Sequence, residues 1–325
     1  MKIEDRIVLF SELGQELLSP SEELIAGAKA RNPWFTEDNI RKAIQRVAEE
    51  FLNKEKLEAW VSAYPATYFT PNAPKRIGIV AAGNLPLVGI QDLIHVLMSG
   101  HEAYYKPSSQ DEVLPTFLIS RLKGKLPVYL ADKLNDLDAY IATGSGNTAR
   151  YFEYYLGKKP SIIRKNRVSV AILDGSESRA DLANLGNDIL EYFGLGCRNV
   201  SKLFVPKGYD FTHFFESIEY WNTITLHSKY VNNYDYNKSI FLVNGDEHLD
   251  NGFLLLKRSS DLHSPISTVF FEEYEDRNAV ESILEEKKEE IQCVVGREVP
   301  FGSSQKPSLG DYADGVDTLA FLSRL

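Results

Sequence analysis

Apolar and polar positions change rhythm twice along this chain. Over residues 1–62, clusters such as Ile7-Val-Leu-Phe10, Leu17-Leu18 and Leu24-Ile25 recur between acidic and small residues, which predicts helices. Thr36-Glu-Asp-Asn39 has the form of a helix start. A Pro-rich, aromatic stretch over 64–74 breaks that pattern. From Arg76 onward short apolar runs alternate with helical spacing. Strands are expected at 77–81, 103–105, around Val128 and at 139–142, with helices over 87–98 and 113–122. Such alternation predicts a parallel α/β sheet.

The basic run Arg164-Lys-Asn-Arg167 leads into a further strand over 168–173, and a second unit begins about there. It is expected to hold a helix over 180–193, strands at 202–205, 239–243, 253–256 and 268–271, and a charged amphipathic helix over 279–290. The cluster Asn232-Asn233-Tyr234-Asp235 reads as a turn. The last stretch, 312–322, is too apolar for a disordered tail. Internal repeats and low-complexity segments are not evident.

Composition narrows the classes. The 325 residues are 43% hydrophobic and 25% charged, ordinary for a globular chain with room for two domains of roughly 150 residues. A net charge of −10 argues against a general nucleic-acid binder while leaving room for a local phosphate pocket. Cys197 and Cys293 are too few and too far apart for a disulfide framework, which fits a reducing cytoplasm. The first residues mix charges without a signal peptide's apolar core, and no apolar run approaches the roughly 18 residues of a membrane helix. A cytoplasmic protein with no membrane span is therefore expected. No His/Cys/Asp spacing suggests a metal site.

Cys197 carries the sharpest chemistry. It closes Gly194-Leu-Gly-Cys197, a turn between an expected helix and an expected strand, with Arg198 beside it. Glycines let the backbone approach a ligand, and a neighbouring cation favours the thiolate. A buried structural cysteine is the competing reading. Gly144-Ser-Gly-Asn-Thr-Ala149 has the form G-x-G-x-x-A after a strand. It suits either a phosphate-facing turn or a plain structural one, because Arg164, Lys165 and Arg167 stand where a dinucleotide fingerprint has its acidic residue. Asn84, in Gly83-Asn-Leu-Pro-Leu87, is a candidate oxyanion donor or a helix N-cap. Lys106, in Tyr105-Lys-Pro-Ser-Ser109, ends a strand on the same sheet edge, as a partner for ribose or phosphate or as a loop lysine. His227 is a candidate proton shuttle, set against a structural histidine.

Together these motifs resemble the aldehyde dehydrogenase superfamily, in the same order over residues 80 to 310. Gly83-Asn-Leu-Pro-Leu87 looks like its W-N-x-P-L segment, Lys106-Pro-Ser like K-P-S, and Thr143-Gly-Ser145 like F-T-G-S. Gly196-Cys197 with Lys202-Leu-Phe-Val205 is similar to G-Q-x-C…R-x-x-V. Ser264-Pro-Ile resembles G-P-V, and Pro300-Phe-Gly-Ser-Ser-Gln-Lys306 resembles P-F-G-G-x-K. The resemblance implies an α/β fold with a Rossmann-like cofactor domain, an α/β catalytic domain and an N-terminal helical segment. Residues 1–167 would hold the N-terminal helices and nucleotide-binding domain. Residues 168–299 would carry the thiol, and 300–325 would return toward the first domain. Cys197 would be the nucleophile and Asn84 the oxyanion amide. Lys106, Ser108, Ser109, Thr143, Gly144 and Ser145 would hold the cofactor.

The departures are as informative. Where that family carries E-L-G-G-K, whose glutamate activates water, this chain reads Ile162-Ile-Arg-Lys-Asn-Arg167. The acidic ribose contact after K-P-S is Ser109, which admits NADPH, with NADH also possible. Within the superfamily the short chain, the G-N-x-P motif and the basic segment look similar to LuxC-type acyl-CoA reductases. Segments 227–238 and 311–318 also look similar to segments of the shorter, unlinked members of that group. The resemblance implies NADPH-dependent reduction of an acyl-CoA or acyl-carrier thioester to the aldehyde, with a homodimer admitted. An acyl-phosphate reductase and a catalytically silent scaffold remain as alternatives.

Overall fold

The protein is described as a computed structural model covering residues 1–144 and 146–325. It divides into two compact units, residues 1–166 with 307–325, and residues 167–306.

The first unit opens with four helices: α1 (Ile3–Leu17), α2 (Glu22–Arg31), α3 (Glu37–Arg46) and α4 (Lys54–Ser62). Ser21, Thr36 and Asn53 start the last three by accepting backbone N–H groups with their side chains. Beyond Arg76 come β1 (Arg76–Val80), α5 (Ile90–Ser99), β2 (Glu102–Lys106), α6 (Val113–Leu122), β3 (Val128–Leu130), β4 (Ala139–Thr143), α7 (Gly146–Leu156) and β5 (Ser161–Arg164). The strands form one parallel sheet in the order β3-β2-β1-β4-β5. Central strands in such a sheet are covered on both faces, and Ile77-Gly-Ile79 of β1 and Ala139-Tyr-Ile-Ala142 of β4 are buried without a break. The N-terminal helices share a single apolar core with this sheet, Phe10, Ile40 and Leu57 joining Leu93 and Val96 of α5.

The second unit contains β6 (Val168–Ile172), α8 (Arg179–Leu190), β7 (Val200–Pro206), α9 (Thr212–Ile218), α10 (Ser228–Asn244), β8 (His248–Asp250), β9 (Leu255–Arg258), β10 (Thr268–Tyr274), α11 (Arg277–Glu286) and β11 (Ile291–Val295). Its sheet runs β11-β6-β7-β10-β9-β8, parallel except where β8 meets β9. Residues 300–306 stay with this unit, because the buried Asp188 carboxylate of α8 accepts the Gly302 and Ser304 N–H groups at 2.6 and 2.9 Å. The chain rejoins the first unit from Pro307 and ends in α12 (Thr318–Leu322), whose Leu319 and Leu322 enter its core.

Several expected elements moved. Residues 239–243, read as a strand, lie in α10, and so does the expected turn at Asn232–Asp235. The buried positions Tyr230, Tyr234, Asn237 and Phe241 follow helical spacing, and left-handed Gly245 ends the helix. The apolar run is largely surface: Leu242 and Val243 are 64% and 87% exposed. The expected helix from Leu87 starts only at Ile90, since Leu87 is left-handed at φ 60°. The strand expected at 253–256 is shifted to Leu255–Arg258, and β5 was not anticipated.

Candidate active site

In the first unit, parallel register sets Val80, Lys106 and Ala142 level across three adjacent strands. The segments carrying Asn84, Ser108 and Thr143 therefore all leave the same carboxyl edge. Strand order reverses between β1 and β4, and open α/β sheets bind ligands at such a point. Asn84, Lys106 and Ser109 are exposed there, while Ser108, Thr143 and Gly144 are half-buried. Ser145 lies outside the described residues. Asn84 is not the cap of α5, which starts behind Gly89. Gly83 has to be glycine, because a Cβ would stand 2.3 Å from Ser108 Oγ. The Asn84 turn and the Lys106-Pro-Ser loop thus pack directly against each other.

The basic run has a structural explanation. Arg164 is buried, ion-paired with Asp92 of α5 and bonded to Thr318 Oγ1 at 3.0 Å. Lys165 pairs with Glu153, and Arg167 reaches the Lys288 and Ile291 carbonyls.

In the second unit, α8 ends at Leu190 and the chain reaches β7 through an unusual turn. Tyr192, Phe193 and Gly194 are left-handed in succession, at φ 53°, 61° and 74°. For the two aromatic residues that conformation is costly and needs external support. Asn199 supplies it. Its amide group donates to the carbonyls of Asp188, Ile189 and Glu191 at 3.1, 3.2 and 2.8 Å, and its oxygen accepts the Gly196 N–H at 2.8 Å. Half-buried Cys197 sits inside the resulting loop, closed by the Asn199 N–H on the Gly196 carbonyl at 3.0 Å. From β6, the Ser169 hydroxyl donates to the Cys197 carbonyl at 3.0 Å and lies 3.1 Å from Cys293 Sγ. Neither cysteine is in a disulfide. Burial pushes the Cys293 thiol up, against the nearby Ser169 and the charge of Arg198. Cys293 is buried, whereas Cys197 is half-buried. His227 caps α10, its Nδ1 accepting the Tyr230 N–H at 3.3 Å, and its ring lies against Phe193 with centroids 4.2 Å apart.

No protein-family model matches the sequence, and no curated protein does. Solved structures do. An NAD-dependent aldehyde dehydrogenase from Sinorhizobium meliloti superposes with a TM-score of 0.69 at 12% identity, covering 90% of this chain and 74% of its own. Aldehyde dehydrogenase 21 from Physcomitrella patens, solved with succinate, gives 0.67 at 14%, covering 92% and 74%. An aldehyde dehydrogenase from Bacillus cereus, solved with NAD+, gives 0.64 at 14%, covering 91% and 72%. The chain has the aldehyde dehydrogenase fold.

Within that fold the expected Rossmann-like sheet and α/β thiol unit are both present, with the N-terminal helices built into the first. The motif reading gave Asn84 and the cofactor candidates to the first unit, and Cys197 and His227 to the second. It passed over Asn199 and Ser169, which bond the backbone of the Cys197 loop, and Asp111, which accepts the Leu87 N–H. An asparagine two positions after a Gly-x-Gly-Cys turn was a signal of sorts, since asparagine side chains commonly bond nearby backbone. Among the described residues, no helix is long and apolar enough to cross a membrane.

Proposed function

We propose that this protein reduces an acyl-CoA thioester to the aldehyde with NADPH, through a thioacyl intermediate on Cys197. The observation that supports this most is the fate of the segment 162–167. Where a carboxylate would activate water for hydrolysis, Arg164 is locked in a buried ion pair with Asp92, and Arg167 is held by backbone carbonyls. A thioacyl enzyme lacking that base is long-lived enough to be reduced.

Cys197 thiolate attacks the thioester carbonyl, and the family resemblance gives Asn84 the role of oxyanion amide. The carbon–sulfur bond to coenzyme A then breaks, releasing its thiolate. A reduced nicotinamide, when bound, supplies a hydride to the thioacyl carbon. The thiohemiacetal formed collapses to aldehyde and Cys197 thiolate. One thioester, one NADPH and one proton give one aldehyde, one coenzyme A and one NADP+. Lys106, Ser108 and Thr143 are assigned to the dinucleotide. Their common carboxyl edge and the close Gly83–Ser108 packing fit such a ligand. Exposed Ser109 brings no carboxylate against a 2′-phosphate, so NADPH is the preferred donor and NADH the secondary one. The chemistry asks nothing of His227 beyond its cap.

The test is NADPH oxidation at about 340 nm with a series of acyl-CoAs, beside Cys197→Ala. Oxidation that depends on chain length, yields aldehyde and thiol together and vanishes in the variant supports the reading. Activity on acyl phosphates alone would replace it with an acyl-phosphate reductase, and silence on both would leave the scaffold alternative.

A further inference from the structure

The turn that carries Asn84 is irregular from Ala81 to Gly89, and backbone pairing alone does not fix it. Leu87 is left-handed there at φ 60°, a conformation that side-chain-bearing residues rarely adopt. Two buried side chains from other parts of the first unit hold the two ends of the turn. Asn32, the residue that ends α2, donates its amide N–H to the Gly83 carbonyl at 3.1 Å. Its oxygen accepts the Trp34 N–H at 2.9 Å, which fixes the orientation of the amide. Asp111, beyond β2, accepts the Leu87 N–H at 2.7 Å. Asn32 and Asp111 are 2% and 3% exposed, so water does not compete for either bond.

The space behind the turn is also closed. A Cβ on Gly89 would meet Ala81 Cβ at 2.7 Å and the Tyr105 hydroxyl at 3.0 Å. The second Asp111 oxygen and the Tyr105 hydroxyl are both buried without a hydrogen-bond partner. A carboxyl left with one unmet oxygen, and used for a single backbone N–H, is an expensive way to make one hydrogen bond. Such a cost is expected where a geometry is being enforced.

We propose that Asn32 and Asp111 are positioning residues for Asn84, gripping the turn at Gly83 and at Leu87 so that the intervening amide is fixed at the sheet edge. The proposal rests on the reading of Asn84 as the oxyanion donor. It also gives the N-terminal helices a task in the chemistry, since Asn32 is supplied by α2. Neither residue touches substrate; each acts through the placement of Asn84.

The test is steady-state kinetics of the full chain with acyl-CoA and NADPH, for Asn32→Ala, Asp111→Ala and Asp111→Asn, each also combined with Asn84→Ala. Asn32→Ala and Asp111→Ala should lower kcat by about 10- to 100-fold, the loss a misplaced group of this kind brings, with the acyl-CoA KM changing less than about threefold. In the Asn84→Ala background the same substitutions should cost less than about twofold, because the group they position is gone. Asp111→Asn keeps an oxygen for the Leu87 N–H and should recover most of the loss. Equal losses in both backgrounds, or no recovery with asparagine, would overturn the proposal. Should Asp111→Ala fail to fold, Asn32→Ser and Asp111→Asn in the two backgrounds carry the comparison. An Asn84→Ala enzyme with full activity, or a wild type silent on thioesters and acyl phosphates, would remove the reading of Asn84 and the proposal with it.

Discussion

Replacing Asn199 by alanine removes a side chain that ties the Cys197 loop to the end of α8. Its oxygen accepts the buried Gly196 N–H at 2.8 Å, and its two amide protons are shared among three carbonyls at 2.8–3.2 Å. Orphaning a buried polar group costs about 1–3 kcal/mol. The loss centres on the two shortest bonds, to Gly196 and Glu191. Relaxation of the left-handed Tyr192–Phe193 pair returns part of the strain it held. A net loss of about 3 kcal/mol is expected, or a fall in Tm of roughly 6–12 °C for a unit of this size. Circular dichroism melting reads it directly. Asn199→Asp sharpens the test: it keeps the acceptor for Gly196 but turns a carboxylate toward three carbonyls, so it should be at least as damaging. Mass-resolved alkylation should show Cys197 labelling altered in both variants, while buried Cys293 stays protected. A loss below about 1 kcal/mol, or an innocuous Asn199→Asp, would refute this account of the loop.

Further outcomes follow from the first unit. Burial pushes the Asp111 carboxyl up from 3.8 to about 7, so its contribution to stability is present at acid pH and lost as pH rises toward 7. Burial pulls His95 down from 6.5 to about 4, so its contribution is present above 6.5 and lost as pH falls toward 4. Between about pH 4 and 6.5 the two slopes, each about 1.4 kcal/mol per pH unit, oppose each other. Asp111→Asn should therefore lose stability on acidification, and His95→Asn should gain it; parallel urea-midpoint curves would sink both assignments. Arg164→Met should cost about 3–5 kcal/mol by leaving Asp92 buried and unpaired, and adding Asp92→Leu should restore most of that. An unimproved double variant in thermal melts would argue against the pair. Gly83→Ala drives a Cβ to within 2.3 Å of Ser108 Oγ, and should raise the NADPH KM about tenfold with partial rescue by Ser108→Gly. A KM unchanged by Gly83→Ala would remove that loop from cofactor binding.

Much of the fold was legible because its signals are local. The unbroken apolar run Ile77-Gly-Ile-Val-Ala81 marks a strand buried on both faces, and Thr36 announces its helix. The run Ser239-Ile-Phe-Leu-Val243 misled because its apolar content outweighs its helical spacing. Only Phe241 of that run is buried, and the helix it belongs to starts twelve residues earlier at the His227 cap. Candidate residues that stand in a short motif, such as Cys197 and Asn84, could be named from the sequence. The long-range hydrogen bonds around them could not. Asn32 lies 51 residues from Gly83, Asp111 lies 24 from Leu87, and Ser169 lies 28 from Cys197. Such pairs leave no period and no motif. Arg164 shows the converse: read as part of a basic run, it is a buried partner of Asp92.

The most direct test of thioester reduction through Cys197 is intact-protein mass measurement after mixing with acyl-CoA in the absence of NADPH. One acyl group should appear per chain, mapped to Cys197, with one equivalent of coenzyme A released. Addition of NADPH should then discharge it as aldehyde. An unmodified protein, or an acyl group that persists in Cys197→Ala, would contradict the mechanism.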